Sequence, residues 1–289
     1  MILVTGAAGH LGTAVINNLL KQIPSNEIAA FIRNEKAVPS LNSKGIKTHI
    51  GDYSDKDSLD KAFQNIDKLL LITSNGKNAL QEHINVVNAA KKAGVKHIYY
   101  TGGALNKNVK ESKLGSLSDS YITTENYIIE SGLTYTIFQN ALYTEIIPYF
   151  IGYEAIETGI CFPAGNGKAS FGLRSEMGEA IANVIVSKGH ANSIYILTAL
   201  PSYSFGEIAE LLSEISGKEV LYHDIDPQKY EIQLREYGVN EGDIGFSTLF
   251  AAIIENDEYD IGVSDLERLL GRKPSSLKNY LIETYIEKY

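Results

Sequence analysis

The first two thirds of the chain alternate short apolar, β-branched runs with segments whose apolar residues recur at helical spacing. The runs cover 2–5, 28–32, 47–50, 69–73, 97–101, 134–138 and 194–198. The later ones are almost continuously apolar or β-branched, as strands covered on both faces must be. Between them, Leu11, Val15, Leu19 and Leu20 share one helical face, and Pro24 closes that segment. The segments 78–93 and 120–131 stop at Gly94 and Gly132, where a helix accepts a left-handed cap. Strand and helix in alternation predict parallel strands joined by right-handed crossovers: a Rossmann-like, doubly wound α/β sheet.

The last third changes period. "SFGEIAELLSEISGK" predicts a helix capped by Ser204, with Glu207 completing a capping box and Gly217 ending it. "VSDLERLLGRKPSS" predicts the same device with Ser264, Glu267 and Gly271. Strand signals are sparse here, so a smaller, mainly helical lobe is expected. The domain reading is a Rossmann domain over 1–140, completed by about 175–199, and a smaller substrate-binding lobe from 141–174 and 200–289.

The chemistry starts at residues 2–20, "ILVTGAAGHLGTAVINNLL". A strand runs into Gly6, Gly9 and Gly12 and then into a helix, the context in which a glycine triplet binds a dinucleotide. Gly6 permits the tight turn, Gly9 admits a pyrophosphate to bare backbone, and Gly12 lets helix and strand pack closely. The helix N-terminus offers unpaired N–H groups and the positive end of its dipole. Ala8, His10 and Leu11 complete the turn residues expected to contact the cofactor.

An NAD site places a carboxylate after the second strand to hold the ribose 2′-hydroxyl. Here that strand reads "IAAFIRN", and Arg33 stands at the position. A guanidinium binds a 2′-phosphate in fork geometry, so NADP(H) is the expected cofactor, with Lys36 and His10 as further partners of that phosphate. Three more strand ends should line the crevice: Asp52 and Tyr53, for the adenine; Thr73, Ser74 and Asn75, for the pyrophosphate or nicotinamide ribose; and Thr101 with Gly102.

Composition narrows the alternatives. A formal net charge of −9 argues against nucleic-acid binding. The single cysteine, Cys161, excludes an intrachain disulfide, and no His or Cys spacing suits a metal, so no metal is expected. No apolar run reaches the ~20 residues that cross a bilayer, and a cytoplasmic protein without membrane partners is expected.

Together "TGAAGHLG", "FIRN", "GDYSDKDSLDKAF", "AGVKHIYYTG", "YTIFQNALYTE", "SFGEIAELLSEISGK" and "DLERLLGRKPSSL" resemble the NmrA-like branch of the atypical short-chain dehydrogenase/reductases. Within it the likeness is strongest to the NAD(P)H:quinone oxidoreductase and triphenylmethane reductase subgroup. The resemblance implies an NADPH preference, a substrate cleft between the lobes, and flavin-free reduction of quinones or related conjugated acceptors by a monomer or homodimer. In this subgroup the segment matching "NALYTE" borders the nicotinamide, which makes Asn140 and Tyr143 candidates there, catalytic as well as cofactor-binding in the case of Asn140. Short-chain dehydrogenases use Tyr-x-x-x-Lys. The matching segment, "SYITTENY", keeps the tyrosine as Tyr121 but has Glu125 for lysine, a carboxylate expected to raise the Tyr121 pKa.

Alcohol–ketone chemistry needs a proton donor at the developing alkoxide. Quinone reduction gives a delocalised phenolate that water protonates later, so it needs positioning more than acid catalysis. A catalytic trio of Tyr121, Asn140 and Tyr143 around a quinone-like acceptor follows. The alternative is a non-catalytic NADP(H)-binding redox sensor of the NmrA type; turnover of a quinone separates the two.

Overall fold

The computed structural model describes residues 1–74, 76–106 and 112–287. The chain begins with β1 (Ile2–Thr5), α1 (His10–Leu19), β2 (Ile28–Ile32), α2 (Val38–Asn42), β3 (Lys47–Ile50), α3 (Lys56–Ala62) and β4 (Lys68–Ile72). It continues with α4 (Ala79–Ala93), β5 (His97–Gly103), α5 (Ser116–Glu130), β6 (Thr134–Asn140), β7 (Leu142–Tyr143), α6 (Ile147–Ile151), α7 (Ala155–Thr158) and β8 (Ile160–Cys161). Then come β9 (Lys168–Gly172), α8 (Arg174–Val186), β10 (Ser193–Leu197), β11 (Ala199–Ser204), α9 (Phe205–Ser216) and β12 (Tyr222–His223). The chain closes with α10 (Pro227–Glu236), α11 (Glu241–Glu255), α12 (Leu266–Leu270) and α13 (Leu277–Tyr285).

Seven strands form one sheet in the order β10-β6-β5-β4-β1-β2-β3. Every pairing in it is parallel. Order reverses at β1, and β1 pairs β2 on one side and β4 on the other, which opens a crevice at its carboxyl end. The inner strands β1, β2, β4, β5 and β6 are buried on both faces because they are apolar or β-branched at successive positions, whereas the edge strand β3 is largely open. Leu3, Ala29, Leu69 and Leu71 pack with Leu59, Val86, Ala90 and Ile128 from α3, α4 and α5. Their neighbours Val4, Ala30 and Leu70 pack with Val15, Ile181 and Leu269 from α1, α8 and α12. This alternation is the period-2 geometry of a strand covered on both sides.

A third core lies beyond the sheet, where Phe150, Phe162, Phe205 and Phe250 cluster. Phe162 stacks on Phe150 at 4.9 Å and tilts against Phe205 at 4.5 Å between ring centroids. Helices dominate this region, but it also holds a three-stranded sheet, β11-β9-β7, and a two-stranded one, β12-β8. β7, β8 and β12 escape the sequence pattern because each has only two residues, and β11 because it carries Pro201, which cannot donate to a ladder, with a register shift between Ala199 and Tyr203.

The predicted cap of α9 forms: Ser204 and Glu207 make the reciprocal capping box, and Gly217 takes φ +69° after the last turn. The matching expectation at α12 needs correction. Ser264 and Glu267 make no box; Asp265 precedes the helix, its carboxylate accepting the Ile196 N–H at 3.0 Å. Ser264 Oγ accepts the Leu266 N–H and donates to the Thr198 carbonyl. Both residues are spent on tying α12 to β10, a tertiary demand that overrides the local cap. Gly271 ends the helix at φ +72°, as predicted.

Candidate functional site: a cleft at the carboxyl ends of the strands

A cavity of about 410 Å³ opens at the carboxyl ends of β1, β2, β3 and β4. Its floor is the turn after β1. Gly6 takes φ +59°, which L side chains rarely adopt. A Cβ on Gly12 would collide with the Gly6 carbonyl and stand 2.8 Å from Ala7 Cα, so α1 rests directly on the turn. Gly9 precedes α1, and its N–H donates to the Gly6 carbonyl at 2.9 Å. A Cβ there would meet only that carbonyl, at 3.2 Å; its remaining surroundings are open.

The walls come from the next three strand ends. Gly6, Ala8, Gly9, Arg33, Asp52, Tyr53, Thr73 and Ser74 all line this cavity, joined by Phe31, Ile32, Asn34, Ile72 and Glu82. Arg33 is exposed and lines the cavity, and it makes no ion pair with a described residue. Its charge nevertheless reaches Asp52. The Asp52 carboxylate is held below its usual range, first by the Ser54 hydroxyl (2.6 Å) and N–H (2.8 Å) and then by the Arg33 guanidinium.

Tyr53 stacks on Phe31, with ring centroids 6.1 Å apart and planes 8° from parallel. Its hydroxyl donates to Thr5 Oγ1 at 2.5 Å and to the Ile72 carbonyl at 3.0 Å. Thr5 Oγ1 in turn donates to the Leu70 carbonyl and accepts the Ile72 N–H, so the ends of β1, β3 and β4 are locked together. Thr101 stands one row behind. Its carbonyl accepts from Thr73 Oγ1, and its own Oγ1 accepts the Thr73 N–H at 3.3 Å.

Other predicted residues lie elsewhere. Leu11 is buried in the core beneath α1. His10 lines a separate open hollow with Thr13, Asn17 and Arg174. Lys36 is exposed in a short turn whose N–H donates to Asn34 Oδ1. Gly102 faces Glu125: a Cβ on it would stand 2.8 Å from Glu125 Oε1. Asn75 lies outside the described residues.

Asn140, Tyr143 and Tyr121 gather at the ends of β5 and β6. Asn140 is buried and its Nδ2 reaches the Tyr143 hydroxyl at 3.4 Å, while its Oδ1 has no partner among the described residues. Arg174 lies 4.2 Å over the Tyr143 ring. Tyr121 has its pKa raised well above the ordinary tyrosine value, by burial first and then by the phenols of Tyr259, Tyr100 and Tyr143. The expected influence of Glu125 on Tyr121 is corrected here. Its carboxylate accepts from Gln139 Nε2 at 2.9 Å and acts on Tyr100 instead, one helical turn away from the tyrosine it was expected to disturb.

Two residues of α4 join the site without a motif to announce them. Glu82 accepts from the Ser74 hydroxyl at 2.6 Å. His83, fully buried, accepts the Ser74 N–H on Nε2 at 3.0 Å, which leaves Nδ1 as donor to Thr124 Oγ1, also at 3.0 Å. The only sequence signal is a polar pair at the end of the first turn of a helix beside the crevice.

Fold and cleft together define a dinucleotide-binding α/β protein. The chain belongs to the NmrA-like family, which it matches over residues 1–286. It is 37% identical over 246 residues to Quinone oxidoreductase 2 of Escherichia coli, a match covering 84% of each chain. Among solved structures, Citrobacter sp. triphenylmethane reductase complexed with NADP(H) superposes with a TM-score of 0.90 at 33% identity, over 98% of this chain and 99% of that one. The NADPH complex of the E. coli quinone oxidoreductase superposes with a TM-score of 0.88 at 31% identity, over the same shares.

Proposed function

We propose that this chain is an NADPH-dependent oxidoreductase that passes hydride directly, without a flavin, to a quinone or a related conjugated acceptor. The observation that carries the cofactor is a glycine-floored cleft with an exposed guanidinium, Arg33, that forms no ion pair with a described residue, where an NAD site would place a carboxylate. The relatives that bind NADP(H) and reduce quinones or dyes support the same reading.

The residues present fit the cofactor. Bare backbone at Gly6 and Gly9 and the start of α1 accept the diphosphate. Arg33 holds the 2′-phosphate; Asp52, kept ionised by Ser54, accepts from the adenine amine. Thr73 and Ser74 face the ribose on the nicotinamide side, with Ser74 held by His83 and by Glu82, which also lines the cleft. When bound, NADPH supplies the hydride. Asn140, Tyr143 and Tyr121 wall the acceptor, a small molecule, and keep water from it. Because a quinone's two-electron product is a delocalised anion, no lysine is required to prepare a proton, and Glu125 can stand where lysine is usual.

The test is steady-state oxidation of NADPH by a naphthoquinone in flavin-free buffer, followed at the nicotinamide absorbance band. Sustained turnover is expected. Tight binding of NADPH with no turnover of quinones would favour a sensor and reject the reading.

A further inference from the structure

Two phenols meet over a bare stretch of backbone at the end of β5. A Cβ built on Gly103 would stand 2.7 Å from Tyr121 Cε2 and 3.4 Å from the Tyr259 hydroxyl oxygen. Tyr259 is 4% exposed, yet among the described residues neither its hydroxyl nor that of Tyr121 has a hydrogen-bond partner. Neither oxygen is among the fully buried unpartnered atoms, so each keeps an open side from which it can donate to a ligand. The Oδ1 of Asn140, at the end of the neighbouring strand, is a buried polar atom without a partner among the described residues.

Tyr259 is also held firmly. Its backbone bridges Ala169, and its carbonyl accepts the Ser170 N–H at 2.7 Å. Ser170 Oγ then accepts the Ile261 N–H. On the other side, the buried Glu258 carboxylate accepts from Ser112 Oγ and the Lys113 N–H, and its carbonyl accepts the Asn106 N–H at 2.8 Å. The segment is therefore pinned both to β9 and to the ends of the connection between β5 and α5.

We propose that the Tyr259 and Tyr121 hydroxyls together donate to the acceptor oxygen on which negative charge develops, making Tyr259 a catalytic residue contributed by the C-terminal third of the chain. The inference rests on the reductase reading. The acceptor takes a hydride, two electrons with one hydrogen nucleus, as the donor C–H bond breaks; NADP⁺ remains, and the acceptor's oxygen carries the resulting negative charge. Both phenols keep their protons, and water supplies one to the released anion. Burial, with the neighbouring phenols adding to it, raises both tyrosines well above their ordinary value, which keeps them donors.

The probe is 4-nitrophenolate, a stable oxyanion, titrated into the protein in excess NADP⁺. The wild type is expected to bind it, and bound 4-nitrophenol is expected to ionise at lower pH than the free dye, because donors favour the anion. Tyr259→Phe and Tyr121→Phe are each expected to weaken phenolate binding by roughly tenfold or more, the range for a hydrogen bond to a charged group, with NADP⁺ affinity and melting temperature unchanged. No phenolate binding, an ionisation pH unchanged or raised on binding, or wild-type affinity in Tyr259→Phe overturns the inference. Turnover of a naphthoquinone is measured separately; its absence rejects the parent reading, whatever the phenolate result.

Discussion

His83 Nε2 accepts the backbone N–H of Ser74 at 3.0 Å, so a neutral imidazole buried under α4 sets the direction of a strand end that faces the cofactor cleft. Burial holds the His83 pKa down to about 4, against 6.5 for a free imidazole. The unfolded chain therefore binds a proton that the folded chain refuses between these values. Stability is full above about pH 6.5 and falls as pH drops toward about 4, by roughly 3 kcal/mol at most from this residue. His97, half-buried and also lowered to about 4, adds in the same direction. Urea midpoints measured from about pH 7 to about pH 5 check this. His49 and His190 are lowered too, so His83→Gln is expected to flatten the slope by somewhat less than half, and an unchanged slope contradicts the assignment.

The three glycines of the turn predict different outcomes. Gly9→Val places a branched side chain in the open cleft, with only the Gly6 carbonyl at 3.2 Å to accommodate. Folding should survive with a melting temperature within a few degrees, while NADPH binding is lost. Gly12→Val instead drives a side chain into the backbone of Gly6 and Ala7, and is expected to cost about 3 kcal/mol or more, or to prevent folding. Thermal melts beside NADPH titrations separate the two; equal destabilisation by both variants removes the distinction drawn for the turn.

A third expectation concerns Glu258. Its carboxylate, in a residue 3% exposed, accepts from Ser112, Lys113 and Asn256. Glu258→Ala leaves those donors without their partner, and the amide of Lys113 should exchange with solvent at least about tenfold faster than in the wild type, with little change at Leu3 or Leu70 in the sheet. Unaltered exchange at Lys113 argues that other contacts hold this connection.

Much of the architecture is legible in the sequence because the sheet is parallel and doubly covered. Strands such as "ILVT" and "IAAFI" have nowhere to be but inside, and their boundaries coincide with the observed β1 and β2. The glycine turn, Arg33, Asp52 and Thr73 are legible for a related reason: in such a sheet, residues just past strand ends must meet at one edge. Side chains that reach the site from a helix face are not. His83 reads as one more polar position of an amphipathic helix, and its role depends on how far α4 tilts over β4. The phenol of Tyr259 lies far from Gly103 along the chain, and only tertiary contacts of its segment, with β9 and with the connection after β5, bring them together. The Ser264 cap failed for the same reason: a local rule was outweighed by contacts with β10.

Cofactor choice rests on Arg33, and titration calorimetry with NADPH and NADH, on the wild type and on Arg33→Ala, tests it most directly. The wild type is expected to bind NADPH more tightly than NADH. Removing the guanidinium should weaken NADPH by about 10- to 100-fold, the range for a charge-assisted contact to phosphate, and leave NADH within about twofold. Equal loss of both nucleotides, or no heat with either on folded wild-type protein, would contradict the account.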